Sequence, residues 1–219
     1  RLNTWWGKPM YGLALTLLLI KISFLVYMAY LYHKYKAVTS VSDEELPLCT
    51  VIVPAYNEGY LVYETLLSLA DSKYPIAKLQ IISIDDGSKD DTWNWMLKAK
   101  QQLGDRLTIM QQPKNMGKRQ ALYYGFQNGK GEVFVTVDSD SIVDENTLRN
   151  LVSPFVTNKK CGAVGGNVRV LNKDKGLIPK MLNVSFTFSF EFIRSAQSVL
   201  GCVLCTPGAL AAYRKDAVL

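Results

Sequence analysis

The chain has 219 residues, 48% of them hydrophobic, enough to build one large domain or a smaller domain with appendages, and this excludes a disordered chain. Its net charge of +6 is uneven: five of the 25 cations, Arg1, Lys8, Lys21, Lys34 and Lys36, lie in the first 36 residues with no acidic residue among them, which leaves 20 basic against 19 acidic residues in all that follows. A folded part so close to neutral lacks the basic face that replaces phosphate counterions, so nucleic acid is excluded as a partner and the excess charge belongs with a membrane.

The first element runs from Tyr11 to Tyr32, YGLALTLLLIKISFLVYMAYLY, about the 20 residues that cross a bilayer as a helix. It ends in Tyr30 and Tyr32 followed by His33, Lys34 and Lys36, an interfacial flank and not a small-residue cleavage site, so it reads as a retained anchor. Lys21 in its middle calls for protein or water neighbours. Residues 1–36 are therefore expected to hold a transmembrane helix over about 11–32, with the Lys34 and Lys36 side cytosolic by the positive-inside rule. Residues 37–47, polar and closed by Pro47, read as a linker into a folded domain over 48–219.

After the linker, β-branched runs at 49–54, 79–85, 107–111, 132–138 and 163–171 alternate with helical stretches near 60–71, 91–103, 118–128 and 145–155. This alternation predicts an α/β domain of βαβ units, a mainly parallel sheet with helices on both faces and a ligand at the carboxyl ends of its strands. Those ends are acidic: Pro54-Ala55-Tyr56-Asn57-Glu58 after the first strand, Asp85-Asp86-Gly87-Ser88 after the second, Asp138-Ser139-Asp140 after the fourth. Carboxylates gathered on one edge repel unless a cation offsets them, and Asp138 and Asp140, two apart in extended chain, address one point. Hard oxygen ligands of this kind suit Mg²⁺ or Mn²⁺ bound together with substrate phosphates.

Gly117-Lys118-Arg119 follows the third strand and opens a helix, where cations oppose the helix dipole unless an anion is near; a diphosphate is such an anion. Neither GxxxxGK[ST] nor GxGxxG occurs. The four cysteines, Cys49, Cys161, Cys202 and Cys205, are too few for a disulfide scaffold and fit a reducing compartment; Cys202-Val203-Leu204-Cys205 lacks a second ligand pair for zinc. His33, the sole histidine, abuts the hydrophobic segment, so acid–base chemistry here would fall to carboxylates.

The ordered motifs VPAYNE, DDGS, NMGKRQAL and DSD resemble the family-two glycosyltransferases over roughly residues 49–219, which implies the GT-A fold, a Rossmann-like nucleotide-sugar-binding domain. By that resemblance Pro54 is a donor-binding residue, Tyr56 stacks on the uracil, and Glu58 with Asp85 or Asp86 holds base and ribose. Lys118 approaches the diphosphate, Asp138 lies near the donor sugar and Asp140 ligates the metal, the last two forming the catalytic pair. The stretches at 162–172 and 192–214 resemble the membrane-integrated processive branch of hyaluronan, chitin and cellulose synthases; there Gln197 falls on an amphipathic interface helix, and Cys205 and Gly208 on the acceptor side. The resemblance implies inverting transfer from a UDP-sugar, of N-acetylglucosamine type, to a β-linked polysaccharide or oligosaccharide acceptor at the plasma or inner membrane. It also implies that the catalytic base lies beyond Leu219. The alternatives are a lipid-linked single-sugar transferase and a non-catalytic nucleotide-sugar-binding protein.

Overall fold

The computed structural model describes residues 5–218 and divides into two compact units. One unit takes the chain up to Ala37 together with Val168–Leu204; the other takes Val38–Asn167 and the chain from Cys205 onward.

In the first unit, helix α1 (Gly7–Lys34) opens with Pro9 in its first turn, where the missing N–H costs nothing, and runs 28 residues. At 1.5 Å per residue that is roughly 42 Å. Its side chains are exposed along almost all of this length, and it is the one helix among the described residues long and apolar enough to cross a membrane. Near its end Met28 and Leu31 are buried against Ala196, and Tyr32 packs on Phe192 with ring centroids 5.3 Å apart.

The second unit is built on a six-stranded sheet. Its elements are β1 (Cys49–Ala55), α2 (Tyr60–Ala70), β2 (Leu79–Asp85), α3 (Thr92–Leu103), β3 (Leu107–Gln111), α4 (Lys118–Asn128), β4 (Val133–Val137), α5 (Thr147–Thr157), β5 (Ala163–Gly165) and, after the excursion through the other unit, β6 (Leu210–Arg214). That excursion carries one continuous helical run, α6 (Leu177–Phe186), a π-helical stretch Thr187–Ile193 and α7 (Arg194–Val199).

The strand order is β3-β2-β1-β4-β6-β5, with the first four parallel and β6 antiparallel to both of its neighbours. Because successive strand residues face opposite sides, β1 splits its side chains: Val51, Val53 and Ala55 join the core made with α2, α3 and α5, while Ile52 joins Ile82, Ile84 and Phe134 beneath Ala121 of α4. Strands buried on both faces read as continuous apolar runs, which is why CTVIVP and EVFVTV carry no polar alternation.

Two segments depart from the expected spans. The run at 163–171 forms a strand only over Ala163–Gly165, because β5 has β6 as its single partner and three residues of pairing; Gly166 N donates to Leu210 O at 2.9 Å, and the chain then enters the other unit. Valines at 168 and 170 look the same in sequence whether or not a partner strand exists. The polar residues 37–47 are docked along most of their length: Val41 N donates to Ser153 Oγ at 3.1 Å, Arg149 pairs with Asp43 and donates to Val41 O at 2.8 Å, and Leu46 is buried.

Helix α4 lies close on the sheet at Gly125, where an added Cβ would sit 2.4 Å from Ile52 Cγ2 and 3.0 Å from Ile52 Cγ1. Ile52 is fully buried and has nowhere to move. Gly125→Ala is therefore expected to destabilise the domain by about 1 to 3 kcal/mol despite alanine's better helix propensity, as overpacking does. Urea denaturation checks this, with a smaller loss expected from the same substitution made in an Ile52→Ala background.

Candidate active site

The parallel strands bring their carboxyl ends to one edge, and the chain changes its winding direction at β1: β2 and β3 lie to one side of it and β4 to the other. Open α/β sheets bind ligands in the crevice at such a switch point. A pocket of about 270 Å³ opens there, walled by Pro54, Ala55, Tyr56 and Glu58 from the end of β1, Asp86 from β2, Asn115, Gly117 and Lys118 from the start of α4, and Asp138, Ser139 and Asp140 from β4.

Each wall has a local cause. Asp86 is buried at 3% exposure, and its carboxylate accepts from Met116 N and Gly117 N, both at 2.8 Å, on the segment leading into α4. Gly87 lets the two loops touch: its φ is +69°, and an added Cβ would stand 2.4 Å from the Lys114 carbonyl carbon. Lys118, the first residue of α4, forms an ion pair with Asp138. Asp138 is tied in turn by its own N–H to Ala209 O at 3.1 Å, and Ser139 O accepts from the buried Thr65 hydroxyl of α2 at 2.9 Å.

Of the residues singled out in the sequence, Pro54, Tyr56, Glu58, Asp86, Lys118, Asp138 and Asp140 come together here. Asp85 does not: it is fully buried behind the wall, with one oxygen accepting from Ser88 N at 3.0 Å and the other from Gln111 Nε2 at 2.9 Å. Its turn inward follows from the strand, in which neighbouring residues face opposite ways. Gly208 lies at the pocket's rim, where an added Cβ would be 4.0 Å from Lys118 Nζ. Cys205 is an exposed free thiol that meets Thr206 O at 3.3 Å. Gln197 belongs to the other unit and accepts from Leu204 N at 3.5 Å. Asn115 and Ser139 were not singled out, although both stand inside quoted motifs.

The pocket is crowded with negative charge. Burial pushes the Glu58 carboxyl above its ordinary range, Asp140, Asp138 and Asp90 push it further, and Lys118 alone pulls it back. Among the described residues no three histidine, cysteine, aspartate or glutamate side chains are gathered as a ready metal site. Asp138 and Asp140 supply two carboxylates, which fits a hard divalent cation that completes its shell with water and phosphate oxygens.

A family model described as Glycosyl transferase family 2 matches residues 50–219. The chain belongs to this family. Among curated relatives of this glycosyltransferase, the N-acetylglucosaminyltransferase of Rhizobium meliloti is 30% identical over 83% of the chain and 42% of its own length. The poly-β-1,6-N-acetyl-D-glucosamine synthase of Staphylococcus aureus is 28% identical over 82% of the chain and 42% of its own length, and the hyaluronan synthase of Streptococcus pyogenes 27% over 95% and 48%. The chain thus spans less than half the length of these relatives, and its likeness to the polysaccharide-synthase branch holds. The mannosyltransferase PcManGT from Pyrobaculum calidifontis, solved with GDP-Man and Mn²⁺, superposes with a TM-score of 0.73 at 26% identity, over 93% of this chain and 55% of that one. The glycosyltransferase domain has the GT-A fold.

Glu58 gives this site a pH signature. A carboxyl raised in the folded state favours folding while protonated, so its contribution is fully present below its unfolded value and is lost as pH rises through the folded one. Glu58→Gln is accordingly expected to raise the melting temperature at about pH 7.5 without divalent cation, and to make little difference near pH 4, around the ordinary carboxylate range. Paired thermal scans at the two pH values measure this; a Gln variant less stable at the higher pH would contradict the combined effect of burial and charge crowding on Glu58.

Proposed function

We propose that the chain is the donor-binding part of an inverting, UDP-sugar-dependent polysaccharide synthase held in a membrane by α1, with the sheet domain on the cytosolic side. The observation that carries this reading is one pocket at the switch point that offers an aromatic face, a lysine and two carboxylates two residues apart. An aromatic face suits a pyrimidine, carboxylates suit the N–H and hydroxyl donors of base and ribose, and a cation suits a diphosphate.

In this reading Tyr56, 38% exposed, stacks on the uracil beside Pro54, while Glu58 and Asp86 face the base and ribose. Lys118 leaves Asp138 for the diphosphate, which frees that carboxylate to lie against the donor sugar. Asp140 would hold Mg²⁺ or Mn²⁺, which would supply positive charge against the diphosphate leaving group. Gly208 and Cys205 would stand on the acceptor's side, with Gln197 on the helix assigned to the membrane interface. The N-acetylglucosamine-type donor is supported by the names of the relatives, and the membrane by the length and apolar surface of α1.

Calorimetry on the purified chain in detergent tests the reading. UDP is expected to bind more tightly than GDP, and more tightly with Mn²⁺ than with excess chelator. Equal UDP affinity in Mn²⁺ and in chelator would remove the metal role of Asp140, and a preference for GDP would remove the uracil.

Stacking makes a separate demand on Tyr56. Tyr56→Ala is expected to weaken UDP binding by about 1 to 3 kcal/mol, the range for base–aromatic stacking, while Tyr56→Phe keeps the ring and most of the affinity. Equal losses in the two variants, read by the same titration, would make the hydroxyl the working group.

A further inference from the structure

The turn that carries Tyr56 and Glu58 is held from outside its own strand. Beyond Ala55 the chain leaves β1, and Asn57 takes a φ of +55°, the one non-glycine residue among the described ones with positive φ. Three successive backbone N–H groups then have no ladder to join. All three are met by side chains that follow β2, from the loop and from the first residue of α3: Asn57 N donates to Ser88 Oγ at 3.0 Å, and Glu58 N and Gly59 N both donate to Thr92 Oγ1, at 2.9 and 2.8 Å. The Thr92 hydroxyl donates its own proton to Asp90 Oδ1 at 2.5 Å. A hydroxyl has one donor and two acceptor positions, and here all three are used.

Thr92 is fully buried and lines no part of the pocket. A valine in its place would match its shape but leave the part-buried N–H groups of Glu58 and Gly59 without their partner, beside the carboxyl that faces the ligand. The other end of the pocket is fixed independently, since Gly117 and Lys118 are set by Asp86, Gly87 and Asp138 without any contact from Thr92.

We propose that Thr92 is a positioning residue for the nucleoside half of the donor, its single hydroxyl holding Glu58 and Gly59 in the turn so that Tyr56 and Glu58 meet the base and ribose. This rests on the reading of the pocket as a UDP-sugar site. Ser88 serves the same turn with one hydrogen bond.

The test is calorimetry on the whole chain in detergent at fixed Mn²⁺, with UDP and inorganic pyrophosphate as separate probes. Thr92→Val should lose UDP affinity tenfold or more while pyrophosphate affinity stays within twofold. Thr92→Ser, which keeps the oxygen, should hold both within twofold. If Thr92→Val does not fold, Ser88→Ala should show the same split at a few-fold scale. A Thr92→Val that binds UDP like the wild type, or any of these variants losing UDP and pyrophosphate in parallel, overturns the positioning role. A wild-type chain that binds neither probe overturns the donor-site reading, and this inference with it.

Discussion

The pocket depends on where the first turn of α4 points, and one buried carboxylate sets that. Asp86 sits at the end of β2 and gives both oxygens to consecutive N–H groups of Met116 and Gly117, charge-assisted bonds that fix the entry of the helix against the sheet. The same negative charge offsets the helix dipole where it would otherwise oppose a cation, so Lys118 can be the first helical residue and still face the pocket. Gly87 is the steric partner of this arrangement: the carboxylate draws the loop down, and only the absence of a Cβ lets it come so close.

With α4 fixed, the electrostatics of the site follow from a shortage of positive charge. Lys118 pairs with Asp138 and acts on Glu58 at longer range. The Glu58 carboxyl, raised first by burial, is raised further by Asp140, Asp138 and Asp90. A site that holds more carboxylate than it can offset internally is suited to a ligand that brings its own cation. A nucleoside diphosphate with a divalent ion is such a ligand, since its phosphates would be repelled by the carboxylates without the ion and drawn in with it.

Much of this was legible in the sequence, for definite reasons. The spans of β2, β3 and α4 could be read residue by residue because they met Gly, Asp or Pro at or near their ends; the strand-end rule, applied to the first, second and fourth strands, pointed to six of the pocket's residues, and the reading of Gly117-Lys118-Arg119 added Lys118. Asp85 and Asp86 could not be told apart, because adjacent acidic residues at a strand end carry the same chemical signal while facing opposite ways. Strand β6 was missed: Leu-Ala-Ala-Tyr-Arg has little β-branching, and it is a strand because β4 and β5 flank it. The long-range partners of Thr92 and Thr65 were equally hidden, since a hydroxyl in a helix gives no hint of which distant N–H or carbonyl it will meet.

Strand β6 also joins two parts of the site that lie far apart in sequence. Its antiparallel register places Leu210 against Val137, so the residues just before it, including Gly208 and Ala209, arrive beside the end of β4. There the Asp138 N–H is taken by Ala209 O, which makes the backbone of the Asp138-Ser139-Asp140 turn continuous with the loop that begins at Cys205. A glycine at 208 keeps the space in front of the Lys118 ammonium open. The loop and the backbone at Asp138 share that one hydrogen bond, so under the proposed donor and acceptor assignments a shift of either side is passed to the other.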